Sequence, residues 1–228
     1  MSFEQGSNSL HSAAIGATPL KGMSFKGNAT ITADDAAGFT GLNSFGALPG
    51  LEVTIGEAGD AANTAIGFGA NSYSVIDDAL INGHIDFNTQ SSSTFLFRNN
   101  PKFSPGVGSG DIGTIRFNLN GSALDNSLVS VFGDPSLQFN LEVGDVSNDN
   151  DKIEFNGGAV IGTHDVVIAP KSSAYTADDL DGNSYVVVEA DAGQDSSTYT
   201  ASLTATMPAA IQVSGVKQVV QQILILLL

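Results

Sequence analysis

Carboxylate and amide side chains that could bind a metal ion crowd two loops of this chain. Ca²⁺ takes about six to eight oxygens from carboxylates, amides and carbonyls, and short loops rich in Asp and Asn can supply them. The candidate ligands are Asp145, Asn148, Asp149 and Asp151 in the first loop, and Asp178, Asp179, Asp181 and Asn183 in the second. Neither loop has EF-hand spacing, and in the second loop Gly182 comes too early. The alternative is a pair of solvated turns in which Asp and Asn bond their own backbone.

Residues of the common catalytic types lack the spacing that catalysis requires. His11, His84 and His164 lie in three unrelated contexts, whereas a zinc site needs several ligands at helical or hairpin spacing. No Gly-x-Ser-x-Gly elbow lies between a strand and a helix. The segment 108–113 matches G-x-G-x-x-G by letter, but the residues after it predict a strand and not the helix of a nucleotide-binding fold.

Carbohydrate chemistry is the remaining enzymatic reading. A glycosidase needs paired carboxylates facing a groove, and this chain has few Glu and no Trp to stack on sugars. A polysaccharide lyase needs a basic residue near the cleaved bond, for which only Arg98 with Lys102, and Arg116, are candidates. We therefore expect a non-catalytic protein without a cofactor, with a carbohydrate-active enzyme as an alternative.

The net charge and the composition limit the kinds of partner that the chain can bind. Acidic residues outnumber basic ones by 24 to 8, for a net charge of −16, which repels nucleic acids and weakens binding to anionic lipids and polyuronates. Attraction to cations such as Ca²⁺ remains. The absence of Cys excludes disulfides and thiolate metal sites. Only 14% of residues are charged, so the surface must be built from Ser, Thr, Asn, Gln and Gly, a composition that is typical of secreted β-solenoids and β-sandwiches.

Short strands, with almost no helical pattern, must position all of these residues. Alternation with period two recurs along the chain, and Gly, Asn, Asp and Ser interrupt it at intervals. The clearest strands are predicted at 29–32, 51–55, 73–76, 81–87, 94–97, 112–119, 137–143, 153–155, 166–168, 185–189 and 199–206. Asn-Gly and Gly-Asn pairs mark either hairpin turns or the corners of solenoid coils. The pattern indicates an all-β fold, either a parallel β-solenoid or a β-sandwich of the jelly-roll kind.

The two ends differ in composition from the centre. Residues 1–20 predict an irregular N-terminal cap, 21–207 a β-solenoid domain, and 208–228 an apolar C-terminal strand. That last segment is too short for a membrane span, which needs about 20 apolar residues. An extended apolar strand can complete a neighbour's sheet, so it is a candidate assembly segment. Its assembly residues are Val216, Val219, Val220, Ile223, Ile225 and Leu227.

One third of the chain carries an ordered series of motifs, from Lys102 to Ala169. The series is Ser104-Pro105-Gly106, Ile112-Gly113-Thr114, a strand, Leu137-Gln138-Phe139-Asn140-Leu141, Asp151-Lys152-Ile153-Glu154-Phe155, and the strand from Asp165 to Ile168. It resembles the autotransporter-associated β-strand repeat, and Tyr185 to Gly193 resembles the close that often follows such repeats. The four residues from Val107 to Gly110 depart from the tight family spacing.

The resemblance implies an extended parallel β-solenoid that acts as a surface, located outside the cell or on a bacterial cell surface. We expect a structural or adhesive role, passenger-like, with a surface glycan or protein as ligand. The alternative is a subunit of a self-assembling filament or sheath that uses the C-terminal strand. We expect neither a nucleic-acid partner nor a membrane span.

Overall fold

A computed structural model gives the architecture. It describes residues 2–3, 6–10, 22–33, 38–42, 44–56, 58–59, 63–69, 72–88, 94–118, 128–131, 136–157, 162–190, 197–207, 217–218 and 221–226. In these ranges the one helix is the single turn α1, Ala177–Leu180. Everything else is strand or the loops between strands.

The strands are short because Gly, Asn and Asp stop the alternation every few residues. In chain order they are β1 (Ser2–Phe3), β2 (Gly6–Leu10), β3 (Met23–Phe25), β4 (Ala29–Ala33), β5 (Gly38–Leu42), β6 (Phe45–Ala47), β7 (Glu52–Ile55), β8 (Thr64–Phe68), β9 (Tyr73–Asp77), β10 (Leu80–Gly83), β11 (Ile85–Asn88), β12 (Thr94–Arg98), β13 (Lys102–Ser104), β14 (Thr114–Asn118), β15 (Leu128–Val131), β16 (Gln138–Val143), β17 (Lys152–Asn156), β18 (Thr163–Pro170), β19 (Ser184–Ala190), β20 (Thr198–Leu203), β21 (Lys217–Gln218) and β22 (Gln221–Leu226).

From β3 to β17 successive strands belong in turn to three sheets, whereas β18, β19 and β20 alternate between two of them. Sheet 1 has the order β1-β3-β6-β9-β12-β15, sheet 2 the order β2-β4-β7-β10-β13-β16-β18-β20, and sheet 3 the order β21-β22-β19-β17-β14-β11-β8-β5. Each full coil therefore contributes one strand to each sheet. Neighbouring coils pair in parallel, with the exception of β22, which pairs antiparallel with β19 and with β21.

This architecture is a parallel β-solenoid, as the sequence predicts. A β-sandwich is built from antiparallel sheets, so the alternative fold does not apply. Coil length varies, because the register partners Asn88 and Asn118 are 30 positions apart whereas Asn118 and Asn156 are 38 apart. Despite this difference, β14 pairs with β11 and with β17 without a shift of register.

A ladder of aromatic rings runs through the core behind sheet 3. Phe87, Phe117 and Phe155 occupy one register position in successive coils, and their rings stack with centroids 5.1 and 5.0 Å apart. Phe117 also meets Phe97 and Phe103 edge to face. Such ring pairs contribute about 0.5–1.5 kcal/mol each beyond the area they bury. The ladder therefore fixes the register of sheet 3 against sheets 1 and 2.

Aliphatic and aromatic rows fill the rest of the core in the same way. In sheet 2 the in-register row is Val53, Ile81, Phe103, Phe139 and Val166, and every member is 0% exposed. In sheet 1 the row is Phe25, Ala47, Ile76 and Phe97. A change of one residue in the register would turn each row to solvent, because side chains alternate between the two faces of a strand.

The predicted strands are found, although the one predicted at 199–206 ends at Leu203, and one further prediction is corrected. The alternation from Ile81 to Phe87 predicts a single strand, but the chain turns there from sheet 2 to sheet 3 between β10 and β11. Gly83 has φ +123°, and a side chain at that position would overlap the carbonyl oxygen of Ile55. Inward-facing residues continue at every second position through the corner, so the sequence pattern does not reveal it.

Glycine and asparagine at the Asn-Gly pairs mark corners and not hairpins. Gly157 and Gly182 have φ of +69° and +72°, a conformation that glycine adopts without a steric penalty. Asn99 and Asn100 take similar values, +53° and +59°, at the corner between sheets 1 and 2. The choice between hairpin and corner, which the sequence left open, is thus settled at these positions.

The chain ends add strands to the stack. Inside residues 1–20, where an irregular cap is expected, β1 and β2 pair in parallel with β3 and β4. The division of the chain at residues 20 and 207 stays a prediction. At the other end β22 occupies the edge of β19, and β21 lies outside it.

Candidate functional site

The two predicted Ca²⁺ loops lie on one corner of the solenoid. We call this the acidic corner and define it as the loops 105–113, 144–151 and 171–183, each of which leads from sheet 2 to sheet 3. The second and third loops are joined by Asn183, whose Nδ2 donates to the carbonyl oxygen of Asp145 at 3.0 Å. Sequence spacing placed the loops apart, and the stacking of coils brings them together.

Asp151 binds the backbone of its own chain. Its Oδ1 accepts from the Gly113 N–H at 2.8 Å and its Oδ2 from the Glu142 N–H at 2.8 Å. The side chain is buried, and this burial raises the pKa of Asp151 to about 7, against the lowering effect of the two N–H donors. Glu142 and Asp111 add to the rise through charge repulsion. Asp151 is therefore a structural acceptor that joins two coils.

Two of the other predicted ligands, Asp149 and Asp179, also have side-chain partners within the corner. The Lys171 ammonium contacts both carboxylate oxygens of Asp149, at 3.2 and 3.1 Å. Asp179 accepts from the Thr176 backbone N–H and hydroxyl, both at 2.7 Å, and these bonds lower the pKa of Asp179. Within the described residues no three His, Asp or Glu side chains are grouped for a metal ion. Ca²⁺ binding by the eight loop residues stays a prediction from sequence.

A second polar cluster, centred on Asp111, ties loop 105–113 to its neighbours. His84 Nε2 lies 3.0 Å from Asp111 Oδ2, which also accepts from the Val107 N–H at 2.9 Å. Burial raises the pKa of Asp111, but the N–H groups of Val107 and Gly59, together with His84, outweigh it and leave the pKa below its ordinary value. Gly113 is packed against the His84 ring, since a Cβ there would lie 2.6 Å from Cε1. The Asp111 carboxylate thus has hydrogen-bond partners from the same chain on both of its oxygens.

The remaining histidines stay apart from this cluster. His164 is 0% exposed, and its Nδ1 accepts from the Leu137 N–H at 3.2 Å. Nδ1 therefore carries no proton, and Nε2 faces the Ser197 hydroxyl at 3.1 Å as the donor. His11 lies outside the described residues. The expectation of three unrelated histidine contexts agrees with the two positions that are described.

The three basic residues named for lyase chemistry lie on three different sheets. Arg98 ends β12 of sheet 1, Lys102 begins β13 of sheet 2, and Arg116 is in β14 of sheet 3. Arg116 is held in a charge ladder on the outer face of sheet 3, with Nε 2.6 Å from Glu154 and an NH group 3.4 Å from Asp86. Burial lowers the pKa of Arg116, but the two carboxylates outweigh it and leave the pKa above its ordinary value.

Lys152 extends the charge ladder by one coil. Its ammonium lies 3.0 Å from Glu154 and 2.5 Å from Glu189. Asp86, Arg116, Glu154 and Glu189 share one register row. Arg116 lies between two carboxylates of this row, and Lys152, two residues before Glu154, bridges the like-charged neighbours Glu154 and Glu189. Cross-strand pairs of opposite charge stabilise a sheet by about 0.2–1 kcal/mol each. Each carboxylate of the ladder thus contacts at least one cation.

An open pocket of about 390 Å³ lies on the outer face of sheet 1. We call it the sheet 1 pocket; it is formed by two register rows that cross successive coils. The first of these rows includes Gly46 and Val75, which are register partners. The end row holds Lys26, Leu48, Asp77 and Arg98, and Arg98 pairs with Asp77. Its volume lies within the range of about 300–1,000 Å³ usual for ligand pockets.

Large apolar side chains stay exposed on this same face. Leu48 is 53% exposed, and Tyr73, which shares the outward face of β9 with Val75 and Asp77, is 49% exposed. Arg98 is a candidate from its residue type alone, whereas no motif in the sequence singles out Lys26, Leu48 or Tyr73. The signal was present as the outward positions of successive strands, but reading it requires the register between coils of unequal length.

The candidate assembly residues lie partly outside the described chain. Ile223 and Ile225 belong to β22, whose backbone pairs with β19 and β21 of the same chain. Val216, Val219, Val220 and Leu227 lie outside the described residues. The strand conformation that the sequence favours for this segment is found in β22. Its use in assembly stays a prediction.

Comparison with known proteins gives no relative. No protein-family model matches the chain, and neither a curated protein nor a solved structure matches it significantly. Within the described residues no helix is long and apolar enough to cross a membrane. The likeness of residues 102–169 to the autotransporter-associated β-strand repeat stays an expectation from sequence.

Proposed function

We propose that this protein is a non-catalytic, extracellular or cell-surface β-solenoid with a structural or adhesive role. The observation that carries the proposal is the stack of parallel coils in the described residues, whose strands form three sheets. A solenoid of this kind presents long, flat side-chain faces, and such repeat architectures use extended surfaces for binding. The resemblance of residues 102–169, which run from β13 into β18, supports the same role.

The chemistry of the acidic corner also favours a non-catalytic role. Several carboxylates of the corner are engaged by the backbone, as Asp151 is by Gly113 and Glu142, or by a neighbouring cation, as Asp149 is by Lys171. A general acid or base must reach a substrate proton within hydrogen-bond distance. Asp151 is 1% exposed, so its carboxylate does not reach the surface.

Two measurements test the proposal. An antibody against the purified chain should label intact cells of the source organism before permeabilisation, and external protease should remove that label. Incubation of the chain with a broad panel of polysaccharides should release no reducing ends. Labelling only after permeabilisation would refute the location, and the release of reducing ends would refute the non-catalytic role.

A further inference from the structure

We propose that the sheet 1 pocket binds a carboxylated oligosaccharide, laid across the coils. This inference rests on the proposed surface role and names the class of ligand. The pocket, an exposed aromatic ring and two unmatched cations coincide on one face of the solenoid.

The cations of the pocket are exceptional in this acidic chain. In the described part of the chain Arg116, Lys152 and Lys171 form ion pairs, whereas Lys26, Arg98 and Lys102 form none. Two of these three unmatched cations, Lys26 and Arg98, line the sheet 1 pocket. The net charge of −16 weakens the binding of polyanions in general, but two open cations give this pocket a local positive charge that favours a carboxylate. Arg recognises carboxylates through paired hydrogen bonds.

The geometry requires a ligand that spans several strands. Lys26, Leu48, Asp77 and Arg98 follow one another in the end row across four strands, as the pairs Phe25–Ala47, Ala47–Ile76 and Asp77–Arg98 fix. Neighbouring strands are roughly 4.8 Å apart, so the backbones at the two cations are about 14 Å apart. An oligosaccharide can cover that distance, whereas one small anion cannot engage both ends of the row.

The other side chains suit sugars better than a peptide. The pocket lies on a sheet face, where backbone groups are used in the parallel ladder, so an extended peptide cannot add as a strand as it would at a sheet edge. Asp77 is fixed by Asn99, whose Nδ2 donates at 2.7 Å, and it offers an acceptor for hydroxyl groups. Tyr73 provides an exposed ring with a polar tip. Gly46 has no side chain and so leaves room for a ligand at its position in the pocket.

Calorimetric titration of the full chain tests the inference. The acidic probes are trigalacturonate and 3′-sialyllactose, and the matched neutral probes are methyl-esterified trigalacturonate and lactose. We expect at least one acidic probe to bind roughly tenfold or more tightly than its neutral partner, because a lost charge-assisted contact has about that effect. Arg98→Gln should reduce the affinity for the acidic probe to that of the neutral one. Tyr73→Ala should weaken both.

Lys102→Gln is the matched control. It removes the third unmatched cation, which lies on sheet 2 away from the pocket, and it should leave all affinities within a factor of about two. A triglutamate peptide is the final arm and should bind more weakly than the acidic sugar. Circular dichroism confirms that each variant is folded. The relative affinities of trigalacturonate and sialyllactose distinguish a uronate from a sialate ligand.

Several outcomes would overturn the inference. They are no binding of either acidic sugar, equal affinity for acidic and neutral probes, tighter binding of the peptide, or equal losses in R98Q and K102Q. None of these affects the surface labelling of intact cells or the absence of released reducing ends. Failure of the pocket and failure of the proposed function are therefore distinguishable.

Discussion

At the scale of single residues, Asp151 shows how a carboxylate can serve structure in a fold with few charges. Two backbone N–H groups from two different coils converge on its two oxygens. The sequence marks Asp151 as one of several acidic residues in a loop and predicts a metal ligand or a solvated turn. It could not reveal the burial, because Gly113 is brought to the loop only by coil stacking.

Asp151 should make the stability of the protein depend on pH. Its pKa is raised to about 7 in the folded chain from 3.8, so the folded state retains the proton that the unfolded state loses. The stabilisation is complete below about pH 4 and is lost as the pH rises through about 7. We expect the urea midpoint of the native protein to fall between about pH 4.5 and 8, and that of Asp151→Asn to fall less.

The exposed residue Asp145 on the same loop provides the control for this experiment. Asp145→Asn should keep the pH slope of the native protein. The absolute stability of Asp151→Asn is expected to fall in any case, because an amide can accept only one of the two N–H bonds. The quantity to compare is therefore the change of the urea midpoint with pH. Parallel slopes for D151N and the native protein would contradict the assignment.

At the scale of elements, the corner between β10 and β11 is the tightest connection in the described chain from sheet 2 to sheet 3. One residue, His84, lies between the two strands, and Gly83 closes against the Ile55 carbonyl. The loops 105–113, 144–151 and 171–183 make the same turn with more residues. Strand positions can therefore be predicted from the alternation of inward and outward side chains. The position of a corner depends instead on where a glycine packs against the backbone of a neighbouring coil.

Gly83→Ala should test how strictly this corner is fixed. Its φ of +123° and the overlap with Ile55 both oppose a side chain. Gly50→Ala is the matched control, because Gly50 has φ +74° but open space around its Cβ position. We expect Gly83→Ala to lower the free energy of unfolding by at least about 2 kcal/mol more than Gly50→Ala. Urea denaturation at fixed pH measures both, and similar losses would argue against the close approach.

Sequence reasoning predicts the strands of the sheet 1 pocket but not the pocket itself. The alternation at Tyr73, Val75 and Asp77 is readable, and it correctly places these residues on one face. Their neighbours Gly46 and Arg98 lie at unequal distances along the chain, since coil length is not constant. Only the paired register brings the two cations, the exposed leucine and the carboxylate into one row.

At the scale of the whole molecule, the C-terminal strand β22 covers an edge that would otherwise be open. It pairs along β19 from Ser184 to Ala190 and runs antiparallel to both of its neighbours, β19 and β21. An uncovered sheet edge offers unpaired backbone groups to other chains. The segment that the sequence marks as an assembly element thus has its backbone engaged within one chain.

Removal of residues 217–228 separates these two roles. If β22 acts as a cap, the truncated chain should self-associate more than the full chain in light scattering coupled to size exclusion. Val186→Lys in the truncated chain should reverse this, because an edge lysine discourages pairing. If the full chain is oligomeric and the truncated chain is monomeric, the segment is an assembly element instead.

The local pattern of strand pairing has a consequence for how the chain gains its structure in time. In the described residues each coil finds its partners in the coil before and the coil after, at separations such as 30 and 38 positions. A chain emerging from one end can therefore complete each coil on the template left by the last. A partly synthesised chain can therefore already form complete coils, because each coil needs contacts only with its neighbours and not with the distant end of the chain.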